Sequence, residues 1–512
     1  MVVALAILVP ATIVVSYGNA LGLSALDHQA MNRTFLAAVD MSADSGRIVL
    51  GGWDGYRLTE TVLHRFTAST RDIDGTLRWD HRALATGMLA GLTLAVRAAR
   101  DAGGHLAGIG VSTWGSDYVL LGADDEPVEA PWHYRDPRTK GVRERIAETI
   151  PEAEQWQRTG TSPRRFNTIY QLVAARATTP QIFDQARRLV TMADWLRGLL
   201  CGIYACEWTQ ANTTGLTTAG LRAWDRDLLA RLNLPDHLFD EILASGTILG
   251  PVRPAIAGAL GCLGAAPLVI ATPGHDTAAA AAAIPGDDPG GAFLSSHTWS
   301  LLGRLERRPN LDPATMAAGF TNEIAHDGRT HLLRVITGLW ILQECRRGFA
   351  ESGHTWTSAA LHDAALAVDP GVPLDVDDPR FFSPGTTTDP MPARVRSWYA
   401  ERGLPLLPDD ATVARRVLEG LTESHRRAVT DLVRLSGRPI TCLHLLGSGT
   451  TNTVLCRLTA QAIGRPVIAG PTEATALGTL LCAGQALGWY PLDRIPRIAA
   501  LSTEVRRYDP LP

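Results

Sequence analysis

The chain has 512 residues, of which 46% are hydrophobic and 20% charged, and its formal net charge is −4. That length exceeds one ordinary core and calls for two or more domains, with the composition of a folded globular protein. The slight acidity leaves no electrostatic footprint for nucleic acid, and basic pairs such as Arg164-Arg165 and Arg346-Arg347 are too short to supply one. Seven cysteines (Cys201, Cys206, Cys262, Cys345, Cys442, Cys456 and Cys482) show no C-x-x-C spacing. Reduced, buried thiols of a cytoplasmic protein are therefore expected, and neither a disulfide framework nor a zinc site is.

Residues 1–26 carry no charged side chain and include the apolar run Ala4 to Val15. No Lys or Arg precedes that run, as a secretory signal requires, and Pro10, Gly18, Asn19 and Gly22 argue against a spanning helix. Met31 stands just before the first convincing strand. Residues 1–30 are therefore expected to lie outside the fold, membrane attachment being the lesser alternative.

Phe35 to Asp40 predicts a buried strand, Met41 to Gly46 a tight polar tip, and Arg47 to Leu50 the returning strand. An aspartate at a strand end, beside small residues whose N–H groups converge, suits a metal-bound polyphosphate, although most such turns are only turns. A helix over about 82–102 leads to two strands around the tip Thr113-Trp114-Gly115-Ser116-Asp117, then to the polar loop Tyr134-Arg135-Asp136. Such a loop can grip a hydroxyl-rich ligand or be a surface ion-pair cluster. Residues 225–233 and 235–243 predict two short helices, with Pro235 starting the second.

Pro267 to Ala271 is an apolar, partly β-branched run ended by Thr272-Pro273-Gly274. His275, Asp276 and Thr277 then precede six alanines. The pattern is a buried strand, a loop and a helix. Asp276 is either an N-cap or a general base at a cleft, with the alanines letting a second element approach closely.

The second half opens with Gly291 to Gly303, again strand, small polar tip and strand, mirroring the hairpin at Asp40. Two such tips predict a duplicated architecture with a nucleotide held between lobes. An apolar helix beginning near Ile336 carries Gln343, residues 369–410 read as loops, and 411–435 as a helix. Ile440 to Leu446, the turn Gly447-Ser448-Gly449, a helix over 451–463 and Pro466 to Ala469 form a βαβ unit. With Asn452 and the second turn at Pro471 to Gly478, its glycine turn suits an adenosine pocket.

In this order, Thr113 to Tyr118, Tyr134-Arg135-Asp136, Asn212-Thr213-Thr214, His275-Asp276-Thr277, Thr298-Trp299-Ser300, Gly338-Leu339-Trp340 with Gln343, and Ala469-Gly470-Pro471 with Glu473-Ala474-Thr475 resemble the FGGY family of carbohydrate kinases. The resemblance spans about 35–488. It implies an α/β fold of two ribonuclease H-like domains of the actin and hexokinase type, residues 31–284 for sugar and 285–512 for nucleotide, with an interdomain cleft. It implies ATP and Mg²⁺ as cofactors, and a ketose acceptor, L-rhamnulose foremost. Another ketose or polyol, and a catalytically silent sugar-binding member, are the alternatives.

Asp276 would then be the general base, and Trp114, Gly115, Asp117, His275 and Thr277 would line the sugar site. Ala43, Asp44, Ser45, Gly46, Arg47, Thr298, Gln343, Gly447, Ser448 and Gly449 would hold ATP, and Asp40 would orient Mg²⁺. Monomer and homodimer are both open. The chain departs from the family pattern at Ser42, His297 and Ser448, where glycines are usual, and at Val335, where a sugar-contacting asparagine is. A required positive φ at such a glycine position would cost a side-chain-bearing residue roughly 1–2 kcal/mol.

Overall fold

The computed structural model describes residues 13–15 and 33–511, apart from 287, 289 and 384. In it the run at Phe35 becomes strand β1 (Arg33–Met41), which turns through the polar tip into β2 (Ser45–Trp53) and then β3 (Leu58–Thr67). Helix α1 (His81–Asp101) is capped by Asp80, whose side chain accepts from the Ala83 amide, and buries Leu84, Met88, Leu92, Ala95 and Ala99 at helical spacing. The chain re-enters as β4 (Gly104–Ser112), parallel to β1. β5 (Thr247–Pro251) and β6 (Leu268–Ala271) complete a six-stranded sheet of order β5-β6-β4-β1-β2-β3.

The second lobe repeats the plan. After helix α2 (Asp276–Ala282) come β7 (Ala292–Ser296), β8 (Trp299–Glu306), β9 (Phe320–Ile324) and β10 (Thr330–Thr337), antiparallel in the order β7-β8-β10-β9. Helices α3 (Trp340–Glu351) and α4 (Asp410–Ser436) follow. Then β11 (Leu443–Leu446), helix α5 (Thr453–Ile463) and β12 (Val467–Ala469) add parallel strands on the other side of β7. Helix α6 (Ala474–Ala486) and β13 (Val505–Tyr508) close the chain. Each lobe thus pairs an antiparallel meander with parallel strands, the duplication that the two hairpin tips predict.

The lobes meet on helices of small residues. A Cβ on Gly478 of α6 would lie 1.7 Å from the Ala279 carbonyl of α2, so only glycine permits this crossing. One core cluster runs through the junction, joining Leu36, Ala38, Val49 and Ile270 of the first lobe to Phe293, Leu333, Leu446, Leu477 and Leu480. The alanine run does let a second helix come close.

Several elements differ from expectation. Ile336 lies near the end of β10 rather than starting a helix, because Gly338 breaks the run and α3 begins at Trp340. Residues 369–410 contain a helix, Met391–Ala400, whose prolines sit at its first turn where they are tolerated. Of 235–243 only a 3₁₀ turn, Asp236–Leu238, is helical. Ile13–Val15 pairs antiparallel with β13, so these three residues belong to the sheet rather than outside the fold; the rest of 1–30 lies beyond the described residues. No described helix is long and apolar enough to cross a membrane.

Candidate active site

The loop between β6 and α2 is fixed from three sides. The Thr113 amide donates to the Gly274 carbonyl at 2.7 Å, and the Asp276 amide donates back to the Thr113 carbonyl at 2.9 Å. Glu207, fully buried, accepts from the Gly274 amide at 3.0 Å, and Gln210 Nε2 donates to the Gly274 carbonyl at 2.7 Å. A Cβ on Gly274 would fall 2.5 Å from Gln210 Cγ. The N-cap of α2 is therefore His275, and Asp276 is the first helical residue. Its carboxylate caps nothing, and about a third of the side chain stays exposed. A carboxylate aimed out of a helix N-terminus and free of capping duty is available as a base.

His275 Nε2 lies 3.4 Å from Asp276 Oδ1, and His275 Nδ1 forms an ion pair with Glu323 Oε2 of β9 at 3.1 Å. Burial alone would lower the imidazole pKa, but Glu323 first, then Asp276 and Glu207, outweigh it and raise it to about 9. The imidazolium is thus held across the two lobes beside Asp276. Asn212 reinforces the crossing, its Oδ1 accepting from the Ile324 amide at 3.1 Å. Thr277, buried, donates its hydroxyl to Asp276 Oδ1 at 3.2 Å.

The tip after β4 supplies the wall. Ser116 holds φ of 72° and is tied by its amide to Thr213 Oγ1 at 2.9 Å and by its carbonyl to the Thr168 hydroxyl at 2.6 Å. A left-handed residue pinned this way marks a strained, over-determined turn. Gly115 lies against Thr213, whose side chain a Cβ would meet at 2.9 Å. Asp117 is 1% exposed and already accepts from the indoles of Trp79 (2.6 Å) and Trp114 (2.9 Å) and from Gln171 (3.0 Å). It therefore orients Trp114 instead of facing a ligand. Burial, only partly offset by these donors, lifts its pKa to about 6. Asp136 is likewise structural, accepting from the Leu77 amide at 2.8 Å.

The three turns that the resemblance assigns to a nucleotide lie as follows. In the first, the Ser42 amide donates to the Ser45 carbonyl at 2.8 Å, leaving Ala43 half-buried and Asp44 and Ser45 exposed, while Gly46 packs on Phe66. In the second, Gly338 passes within 2.6 Å (to a notional Cβ) of the His297 and Thr298 carbonyls, and the Leu339 amide donates to His297 at 2.9 Å. The Trp340 amide likewise donates to the Thr298 carbonyl at 3.3 Å, which ties the start of α3 to this turn, and Gln343 is exposed near that start. In the third, Gly447 has φ of 83°, and a Cβ there would sit 2.3 Å from His297 Nε2. Ser448 Oγ is 3.5 Å from His297 Nδ1, and Gly449 packs on Ser296 Oγ. Two departures from the family pattern, His297 and Ser448, thus touch each other. None of Ser42, His297 and Ser448 has positive φ, so the anticipated backbone strain does not arise. Asn452 caps α5 through the Leu455 amide at 3.0 Å and is 1% exposed, which removes it from any adenosine contact.

Asp40, 3% exposed at the end of β1, accepts from Arg47 Nε at 2.7 Å. Arg47 Nη1 also pairs with Glu473 Oε2 across the cleft at 2.5 Å, so both of its partners are carboxylates. Burial raises the Asp40 pKa against the pull of Arg47, and Asp276 and Glu473 add to the rise. Burial and then Glu473 lift Glu60 nearby to about 8. Asp40 and Glu473 balance Arg47 and Arg65, so the buried Asp40 carboxylate at the strand end suits a divalent cation that arrives with phosphates and takes a single protein carboxylate.

The model of the FGGY family of carbohydrate kinases matches in both its parts, the N-terminal domain over 39–283 and the C-terminal domain over 292–487. The chain belongs to the FGGY family of carbohydrate kinases. Among its relatives, a rhamnulokinase of Bacteroides thetaiotaomicron is 34% identical over 90% of this chain and 92% of its own length. A rhamnulokinase of Halalkalibacterium halodurans is 33% identical over 92% and 98%. Among solved structures, ligand-bound xylulose kinase from Lactobacillus acidophilus superposes with TM-score 0.77 at 17% identity, over 94% of both chains. Plasmodium falciparum glycerol kinase with ADP gives TM-score 0.72 at 15% identity, over 93% and 94%. As an FGGY kinase the chain phosphorylates a sugar hydroxyl at the expense of ATP. Sequence reasoning missed Glu323, Glu207 and the cleft-facing role of Glu473. Only Glu207 left a local trace, as the cap preceding Trp208–Thr213.

Proposed function

We propose that this kinase converts L-rhamnulose and ATP to L-rhamnulose 1-phosphate and ADP, with Asp276 as general base. The observation that carries the reading is the Asp276 carboxylate at the start of α2, one-third exposed and free of capping duty, beside the His275–Glu323 pair. Relatives of similar length named rhamnulokinase support the choice of sugar.

Asp276 accepts the proton of the attacking hydroxyl as its oxygen forms the bond to the γ-phosphorus and the bond to the β,γ-bridging oxygen breaks. Trp114 and Gly115 wall the sugar, and His275 and Thr277 fix the base and its surroundings. The backbone of Ala43 to Gly46, with Thr298 and Gln343, faces the phosphates, and Gly447, Ser448 and Gly449 lie under the adenosine. Arg47 meets the phosphates only by giving up Glu473. Mg²⁺ would be held by Asp40 and would neutralise charge on the triphosphate. Closure of the lobes excludes water, which otherwise competes for the phosphoryl group.

An ADP-release assay across ketoses and polyols tests this. L-rhamnulose is expected to give the highest kcat/KM, with turnover abolished in Asp276→Asn. Faster turnover of another sugar overturns the substrate. Sugar binding by calorimetry without ADP release from any sugar overturns the enzyme reading.

A further inference from the structure

At the far end of β11 from the nucleotide turn, three side chains of different chemistry converge. Cys442 Sγ lies 3.4 Å from Asp288 Oδ2 and 3.4 Å from His444 Nε2, and all three ligand atoms fall within 4.8 Å of one another. We propose that Asp288, Cys442 and His444 bind a zinc ion, with water as fourth ligand, and thereby pin the segment joining the two lobes to the foot of β11.

The spacing carries the argument. Ligands of a tetrahedral zinc, with bonds of about 2.0–2.3 Å, stand about 3.5 Å apart, which matches the two separations from Cys442 Sγ, the third lying within 4.8 Å. One carboxylate oxygen, one thiol sulfur and one imidazole nitrogen suit zinc, whereas Mg²⁺ takes oxygen ligands, so the cation of ATP does not compete for this site. The carboxylate is oriented from outside: Asp288 Oδ1 accepts from the Gly290 amide at 2.9 Å and Oδ2 from the Thr441 hydroxyl at 2.5 Å. Hydrogen-bonded support of this kind holds ligating carboxylates in place.

Cys442 and His444 are buried, and Asp288 is exposed, giving the ion a path from solvent. The His444 ring packs on the Gly291 backbone, where a Cβ would come within 3.4 Å of Nε2. Its Nδ1 has no hydrogen-bond partner among the described residues, so no bond there fixes the tautomer away from one with a lone pair on Nε2. Binding replaces the Cys442 thiol proton, which leaves to solvent, by a metal–thiolate bond.

The alternative is a metal-free relay in which His444 donates to Cys442 and Cys442 to Asp288. Cys442 precedes β11 and Gly447 follows it, about 16 Å away at ~3.3 Å per residue, so the site is separate from the chemistry and independent of which sugar is used. Sequence spacing hides it, because Asp288 lies 154 residues before Cys442.

Full-length protein, dialysed in metal-free buffer, is to be assayed for zinc by mass spectrometry and, after chelation, titrated with Co²⁺. Near one zinc per chain and a thiolate-to-cobalt charge-transfer band in the near ultraviolet are expected. Cys442→Ser, and separately Asp288→Ala at the exposed ligand, should remove zinc and band while sugar-dependent ADP release persists. Absence of zinc and band in the wild type, or a band that survives either substitution, overturns the proposal.

Discussion

Replacing Glu323 with Gln removes a charge from the pair that spans the lobes while keeping the side chain's shape. His275 stands at about 9 against an ordinary 6.5, and at ~1.36 kcal/mol per pH unit the whole partnership is worth about 3 kcal/mol. Glu323 is the first of the groups raising it, ahead of Asp276 and Glu207, so the substitution is expected to cost about 2 kcal/mol. Because the folded pKa of the imidazole is raised, this stabilisation is complete below 6.5 and disappears as pH climbs through about 9. The Glu323 pKa is lowered, burial being outweighed by His275 and then by His331 and Arg164, so its own contribution is constant above the usual carboxylate range. For 512 residues the unfolding entropy is roughly 1 kcal/mol/K, so the expected gap in Tm is roughly 2 °C at pH 6 and near zero at pH 10. Differential scanning calorimetry of both proteins at the two pH values measures it. A gap that is the same at both, or larger at pH 10, would refute the ion-pair assignment.

Asp276→Asn should lower kcat by about 10²- to 10⁴-fold with little change in the KM for ATP, as steady-state kinetics will show. Gly447→Ala forces a Cβ onto the His297 ring and into a backbone conformation (φ 83°, ψ −162°) that only glycine adopts readily, a strain of roughly 1–3 kcal/mol that should raise the KM for ATP about tenfold. Adding His297→Gly should restore part of that loss, because it clears the ring but not the backbone penalty. Gly478→Ala must part α6 from the Ala279 carbonyl, and thermal unfolding should register roughly 1–3 kcal/mol of lost stability.

The elements that sequence periodicity revealed are those whose pattern is local. The hairpin at Asp40, helix α1, helix α4 and the unit from β11 to β12 each carry their own alternation or helical spacing. Ile336 misled because a short apolar run fits strand and helix alike, and only Gly338, squeezed against two carbonyls, decides. The helix Met391–Ala400 hid behind Pro390 and Pro392, residues that break a helix inside but start one at its end. At the site, Asp276 and the glycine turn could be named from motifs. The motif alone places Asp117 at the sugar, whereas its burial under two indoles is a tertiary fact, and so are the partnership of Glu323 with His275 and the contact of His297 with Ser448.

The alanine face of α2 against the bare backbone at Gly478 brings two helices to contact distance, and that closeness has a cost in tolerance. With Leu477 and Leu480 of the same helix seated among Leu36, Val49 and Ile270, the halves share one continuous apolar layer, so a bulkier residue at the crossing would be felt in both at once.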